Sequence, residues 1–270
     1  MQLDRIAVAA GVKLAALAMI GSTNEEARLR ARRGERGPLW ITASAQTAGR
    51  GRMDRAWVSP QGNLYASLLL SNPAGFEHAP ELGFVAALAL RDAVIAEAPE
   101  LAPRLVLKWP NDLLLTGKKC AGILIEGEVG PDNSLSVVIG IGANCASHPT
   151  TTPDRPATDL AAHLVGERAP VTPQQLFRRL SATMCRRIAA WDRGRGFAGI
   201  RDDWLAVATG IGADITVRND DSEKHGRFVG LDQFGRLLLE LHNGDIEKVS
   251  AGDVFPFALS ADRSVQSPPG

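Results

Sequence analysis

Between residues 39 and 143 the chain keeps returning to one pattern: an aliphatic run of strand length, then a loop too rich in glycine, proline or charge to prolong it. The runs fall at 39–45, 64–70, 105–107, 122–128 and 135–143, and their alternating or continuous aliphatic character predicts strands. A helix interrupts them at 80–98, where Leu82, Val85, Ala86, Ala89 and Ala93 share one face. Strands and helices interleaved in this way predict an α/β domain built on a mixed sheet. No run approaches the ~20 apolar residues that a bilayer span needs, so no membrane partner is expected.

The flanking segments extend this frame. Residues 14–20 are apolar and follow Lys13, which faintly imitates a signal peptide, but Asp4 stands where the basic stretch belongs. A leading strand or arm in a cytoplasmic protein is the expectation. Ser22-Thr23-Asn24-Glu25-Glu26 has capping-box spacing and predicts a helix start. Proline and threonine at 147–156 predict a mobile loop. Thr172-Pro173-Gln174-Gln175 then opens a helix with a cap, a proline at the first helical position and a returning glutamine. Leu176, Leu180, Met184 and Ile188 form its apolar stripe, and Arg178, Arg179, Arg186 and Arg187 read as a solvated face; a shorter helix follows at 197–208.

Composition changes near Gly210. Short strands at 214–218, 226–232 and 236–241, with turns at Asn219-Asp220 and His242-Asn243-Gly244, predict a small all-β module, and the tail after Leu259 reads as disordered. The division is therefore 1–208 and 209–270. The 30 basic and 30 acidic side chains cancel, which removes any global reason to expect nucleic acid or an anionic surface as partner. Cys120, Cys145 and Cys185 are too few and too scattered for a disulfide framework or zinc site, and read as reduced, buried and structural.

Three stretches carry chemistry. Gly49-Arg50-Gly51-Arg52-Met53-Asp54-Arg55-Ala56-Trp57 lies in a loop at 47–61. Its glycines allow close backbone approach, its arginines offer planar forks that match phosphate and carboxylate oxygens, and Trp57 offers a stacking surface. Lys108-Trp109-Pro110-Asn111-Asp112 sets a lysine at a strand end before a proline-bearing turn that presents an amide and a carboxylate, and Lys118 and Lys119 return the chain to a strand. Gly140-Ile141-Gly142-Ala143-Asn144 ends a strand with two glycines, where a flat ligand or another backbone fits, or which mark a bulge. Neither a Walker loop nor a dinucleotide fingerprint is present. Non-specific nucleic-acid binding by the Gly/Arg loop is disfavoured by the balanced charge and the lack of further aromatics. Trp109 reads as a core aromatic.

Taken in order from Ser22 to about Phe257, these motifs resemble the biotin–protein ligase family: Ser22-Thr23-Asn24, Gln46 with Gly49-Arg50-Gly51-Arg52, Arg55 and Trp57, Lys108 to Asp112, Lys119 with Ala121-Gly122-Ile123-Leu124, and Gly140-Ile141-Gly142. Ala143 and Cys145, flanking Asn144, depart from the family's more usual aliphatic residue and valine. The resemblance implies a mixed-sheet catalytic domain of the biotin/lipoate ligase type with a small C-terminal SH3-like β-barrel. It implies biotin contacts from Ser22, Thr23, Asn24, Gln46, Gly49, Arg50, Gly51, Arg52, Lys108, Gly122 and Gly142. ATP contacts are implied for Arg50, Arg52, Arg55, Trp57, Lys108, Asn111, Asp112, Lys119 and Asn144, and Lys108, Arg52 and Arg55 are the implied catalytic residues. No protein-held metal is expected; Mg2+ would come with ATP.

The implied chemistry needs no base in its first half, because biotin's carboxylate is already ionised and can attack the α-phosphorus. The product, biotinyl-adenylate, must then be shielded under a closing loop until a lysine of a biotin carboxyl carrier domain arrives; Asp112 is a candidate to deprotonate that lysine. His78, His148, His163, His225 and His242 lie outside every motif and read as structural or surface residues. Two alternatives stay open: a lipoate–protein ligase, which shares the fold and adenylate logic, and a biotin-sensing DNA-binding repressor. Some members carry an N-terminal winged helix, for which there is no room before Ser22, so no specific DNA partner is expected.

Overall fold

The computed structural model describes residues 1–130, 134–150, 156–164, 170–218 and 222–256. In chain order the elements are α1 (Arg5–Ala9), β1 (Lys13–Ile20), α2 (Thr23–Arg32), β2 (Leu39–Gln46), β3 (Leu64–Ser71), α3 (Leu82–Glu97), β4 (Leu105–Lys108), β5 (Asp112–Leu115), β6 (Lys118–Val129), β7 (Leu135–Ala143), α4 (Pro173–Trp191) and α5 (Phe197–Leu205). Five strands follow: β8 (Asp214–Arg218), β9 (Glu223–Leu231), β10 (Leu237–Glu240), β11 (Ile246–Val249) and β12 (Asp253–Pro256).

Among the described residues, seven strands form one sheet in the order β1-β2-β3-β7-β6-β5-β4. β1 runs parallel to β2 and every other pair is antiparallel, so the sheet is mixed as expected. Register assigns its two faces, because side chains alternate along each strand. On one face Leu64, Ala66, Leu68, Val137, Ile139, Ile141, Ile123 and Leu113 join a core shared with α3 and α4, where Trp40 meets Phe177 edge to face at 5.5 Å. The opposite face carries Ala27 of α2 packed on Leu39, Ile41, Leu69 and Val138. Further along that second face stand Ser67, Gly140, Gly142, Gly122, Glu126 and Asp112, which are small or polar. α2 covers only part of it, and the remainder is the floor of a cavity.

The second sheet, order β11-β10-β9-β8-β12, is antiparallel and is the SH3-like module. It docks on the first unit: Trp109 Nε1 donates to the Gly235 carbonyl at 3.1 Å, and a Cβ at Gly235 would sit 2.6 Å from the Phe84 ring. Residues 207–209 pair with β4, the Leu107 and Thr209 amides bonding at 2.9 and 2.8 Å. The turn into β5 holds a cis peptide at Trp109–Pro110.

The helix starts read from the sequence are present: Ser22 caps α2, and Thr172 with Gln175 forms a capping box on α4. Several expectations need correction. β5, β11 and β12, each four residues long, are additional to the strands expected from the sequence: β5 follows directly on the turn read as Lys108 to Asp112, and β11 and β12 alternate too little apolar character with charge to stand out. Helix α3 begins at Leu82 behind a 3-10 turn at Phe76–Glu81 and α5 ends at Leu205, while β6 begins at Lys118 with the two lysines at its start, as read from the sequence. Cys120 and Cys145 are buried but Cys185 is only half-buried. The arginines of α4 are not uniformly solvated: Arg179 pairs with Glu97 at 2.5 Å and Arg187 with Asp92 at 2.8 Å. The central part of the loop at 147–156, the turn at Asn219-Asp220 and the tail after Leu259 lie outside the described residues.

One buried side chain ties the end of β7 to the loop before β3. Asn63, 2% exposed, accepts from the Cys145, Ala146 and Ser147 amides at 2.9, 3.0 and 3.3 Å and donates to the Ser147 carbonyl at 2.9 Å. Asn63→Ala strands those donors, at a cost of about 3 kcal/mol. We expect a denaturant midpoint shifted accordingly with an unchanged m-value, whereas a shift under about 0.5 kcal/mol would mean that water replaces the amide.

Candidate active site

The cavity holds about 290 Å³ and lies on the second face of the sheet, beside the N-terminus of α2. Its floor is set by register. Gly122 on β6 stands directly opposite Gly142 on β7, and Ser67 on β3 opposite Gly140. These glycines are dictated by close approach. A Cβ at Gly142 would meet the Trp57 indole at 2.5 Å, one at Gly122 would meet it at 3.2 Å, and one at Gly140 would fall 2.2 Å from Asn24 Oδ1.

At one end the wall is a continuous hydrogen-bonded chain. The Thr23 amide and hydroxyl both donate to Gln46 Oε1, at 2.8 and 3.1 Å; Gln46 Nε2 donates to Ser59 Oγ at 2.9 Å, which donates to the Trp57 carbonyl at 2.8 Å. Ser67 Oγ lies 2.8 Å from Thr23 Oγ1 and donates to Asn24 Oδ1 at 2.6 Å, and Asn24 Nδ2 donates to Glu126 Oε2 at 2.8 Å. Ser22, Thr23 and Asn24 are buried, so this end is a preset array of oriented polar groups. The arrangement suits a flat, uncharged ligand head that both donates and accepts.

The other end is cationic. The segment from Gly49 to Trp57, read from the sequence as a loop, is a small hairpin finger: Trp57 N–H donates to the Gly49 carbonyl at 2.9 Å, and Gly51 N–H to the Arg55 carbonyl at 2.7 Å. Met53 and Asp54 at its tip both have positive φ, 54° and 51°, a costly choice for residues with side chains. Arg52 donates to Asn111 Oδ1 and to the Gly252 carbonyl, both at 3.3 Å, and Arg55 pairs with Asp253 at 2.6 Å. Burial pulls the Arg52 guanidinium below its usual pKa, with Asp253 and Asp112 opposing. Lys108 stands opposite Asp112 across the β4–β5 pair, its Nζ 5.4 Å from the Phe255 ring centroid. Lys119 pairs with Asp112, and its ammonium lies 5.5 Å from a Trp57 ring centroid. Trp57 Nε1–H is buried and has no hydrogen-bond partner among the described residues.

Of the residues singled out from the sequence, Ser22, Thr23, Asn24, Gln46, Arg50, Gly51, Arg52, Arg55, Trp57, Lys108, Asn111, Asp112, Lys119, Gly122, Gly142 and Asn144 all line this one cavity. Gly49 does not; a Cβ there would meet the Trp57 carbonyl at 2.3 Å, so it shapes the base of the finger. Asn144 is 2% exposed, and its Nδ2 donates to the Thr158 carbonyl at 3.0 Å. Sequence reasoning missed Ser59, Ser67 and Glu126, which orient the polar end. It also missed Asp253, Val254 and Phe255, which β12 brings from the second sheet. Isolated serines and glutamates carry no motif, and only the docking of the two units reveals β12. None of the five histidines lines the cavity. Cys120 and Cys145 lie under its floor with thiols that burial pushes up, that of Cys145 to about 12, which leaves them inert.

Among the described residues no helix is long and apolar enough to cross a membrane, and no three His, Cys, Asp or Glu side chains converge as a metal cage. A family model described as the Biotin/lipoate A/B protein ligase family matches residues 18–144, and one described as the Biotin protein ligase C terminal domain matches residues 210–255. The chain is 41% identical over 241 residues to a biotin--[acetyl-CoA-carboxylase] ligase of Paracoccus denitrificans, covering 88% of this chain and 98% of that protein. It is 35% identical over 218 residues to the bifunctional ligase/repressor BirA of Bacillus subtilis, covering 79% of this chain and 65% of that protein. Among solved structures it is similar to the biotin protein ligase of Aquifex aeolicus in complex with biotin and ATP, with a TM-score of 0.73 and 26% identity over 90% of this chain and 97% of that one. The Leishmania major biotin protein ligase in complex with biotinyl-5-AMP is also similar, with a TM-score of 0.61 and 26% identity over 88% of this chain and 99% of that one.

Proposed function

Because the chain belongs to the biotin protein ligase family, we propose that it converts biotin and ATP to biotinyl-adenylate and then passes the biotinyl group to a lysine of a biotin carboxyl carrier domain. The observation that carries this reading is the polarity of one cavity: preset amide and hydroxyl groups at one end, a glycine floor, and Lys108, Arg52 and Arg55 at the other. A ureido ring, with two N–H donors and one carbonyl, matches the end built by Ser22, Thr23, Asn24 and Gln46. The dithiolane ring of lipoate has no such groups to offer, and would leave the remaining donor and acceptor capacity of those residues unmatched at a cost.

In the first step a carboxylate oxygen of biotin attacks the α-phosphorus, the bond to the β-phosphate oxygen breaks, and pyrophosphate leaves. An anion approaches a polyanion, so fixed positive charge lowers the barrier most. Lys108 would stand between carboxylate and α-phosphate, with Arg52 and Arg55 around the phosphates and Arg50 closing the finger over the biotin end, where it meets Glu126 and Glu25. Asn111, Asp112, Lys119 and Trp57 would form the nucleotide side, the unpaired Trp57 indole N–H being free for a ligand acceptor. Asn144 would act through the segment it holds at Thr158. Magnesium carried on the ATP phosphates would supply further neutralisation there, and Asp112 and Asp253 are the cavity carboxylates that could support it. In the second step the neutral lysine amine attacks the acyl carbon, the bond from that carbon to the phosphate oxygen breaks and AMP departs, with Asp112 the candidate to take the amine proton.

The test is transfer. With biotin, magnesium-ATP and a carrier domain, intact mass should show one biotinyl group on one lysine, and lipoate at equal concentration should give far less. Faster modification with lipoate would move the activity to lipoate ligation.

A further inference from the structure

Glu126 stands behind the cavity wall. On β6 it shares the floor's face with Leu124 and Gly122, two and four residues before it. Its Oε2 accepts from Asn24 Nδ2 at 2.8 Å, while Oε1 lies 3.5 Å from Nη1 of Arg28 and 3.5 Å from Nη1 of Arg50 in the finger. Among the described residues the other ion-pair partners of Arg50 are Glu25 and Asp54, at 3.7 and 3.8 Å, both more exposed than Glu126.

A carboxylate can only accept hydrogen bonds. Asn24 must therefore turn its NH2 toward Glu126 and its carbonyl toward the Ser67 hydroxyl, and the flipped amide would set oxygen against oxygen. This fixes which donor and acceptor directions Asn24 has left for a ligand in the cavity. The same carboxylate is also the least exposed anion available to Arg50, on the finger that covers the cavity.

We propose that Glu126 is a positioning residue with two outputs: it sets the amide of Asn24 for the ligand's polar head, and it anchors the finger through Arg50 so that the activated intermediate is retained. The inference rests on the biotin reading of the cavity.

The two outputs separate by substitution. Glu126→Gln can still accept from Asn24 but loses its attraction for Arg50; Glu126→Met loses both. E126Q is expected to bind biotin within about threefold of wild type. Loss of one partly exposed ion pair, however, should release biotinyl-adenylate roughly three- to fivefold faster. E126M should lose about tenfold in biotin affinity and show the same faster release. A merely structural role would lower melting temperature without splitting the two readouts. Should E126M fail to fold, E126D keeps the charge, falls short of Asn24 and replaces it in the affinity arm. Adenylate retention in E126Q equal to wild type, or wild-type biotin affinity in the variant that cannot reach Asn24, overturns the proposal. Absence of biotin binding by the wild-type protein is a separate failure and overturns the reading of the cavity itself.

Discussion

Lys108→Met should slow adenylate formation by roughly 10²–10³ in a single turnover at saturating biotin and ATP, the loss of about 3–4 kcal/mol that removing one preorganised charge donor brings. The side chain leaves β4 opposite Asp112, lines the cavity at its cationic end, and lies against Phe255 of β12. Methionine keeps the aliphatic length and the contact with that ring, so the melting temperature should stay close to wild type. Negative charge concentrates where carboxylate and α-phosphate meet, and no other cation on β4 faces that point. Biotin affinity should also fall, because the same ammonium faces its carboxylate. Saturating conditions separate the two effects. A single-turnover rate near wild type would make Lys108 a binding residue only.

Gly140→Ala should weaken biotin binding by roughly 30- to 150-fold, the equivalent of about 2–3 kcal/mol for displacing a buried amide held by a hydrogen bond at both its nitrogen and its oxygen. The added carbon would sit 2.2 Å from Asn24 Oδ1, so Asn24 must move and give up its bonds to Ser67 and Glu126. Gly127→Ala is the control: it lies on the same strand as Gly122 but on the other face, and its Cβ would find Leu135 at an ordinary 3.8 Å. Calorimetric titration with biotin alone checks both. Equal affinities for the two variants would show that Asn24 does not contribute to the head site.

Much of this site was legible because its chemistry is written in short runs. Lys108 to Asp112 and Gly49 to Trp57 put several functional side chains on one turn and one finger, where local order survives as a readable string. Ser22 was legible twice, as a helix cap and as a wall residue. The alternation of Gly140 and Gly142 with Ile139 and Ile141 showed that one face of β7 was bare. Which element lay over that face depended on register with β3 and β6, and periodicity cannot supply register. Ser67 and Glu126 escaped notice for that reason, since they gain meaning only opposite Gly140 or beside Asn24. β12 escaped for another: a four-residue strand in a small module carries no trace of docking against the finger, where Asp253 meets Arg55 and the preceding Gly252 carbonyl meets Arg52.

The central claim is that one cavity activates biotin as an adenylate and holds it. The most direct measurement mixes the protein with biotin and magnesium-ATP without acceptor, and follows pyrophosphate release together with the ligand that co-elutes on gel filtration. A burst of about one pyrophosphate per protein, slow leakage afterwards, and co-eluting biotinyl-adenylate are the expected results. Biotin that co-elutes unchanged, with no pyrophosphate burst, would contradict the account.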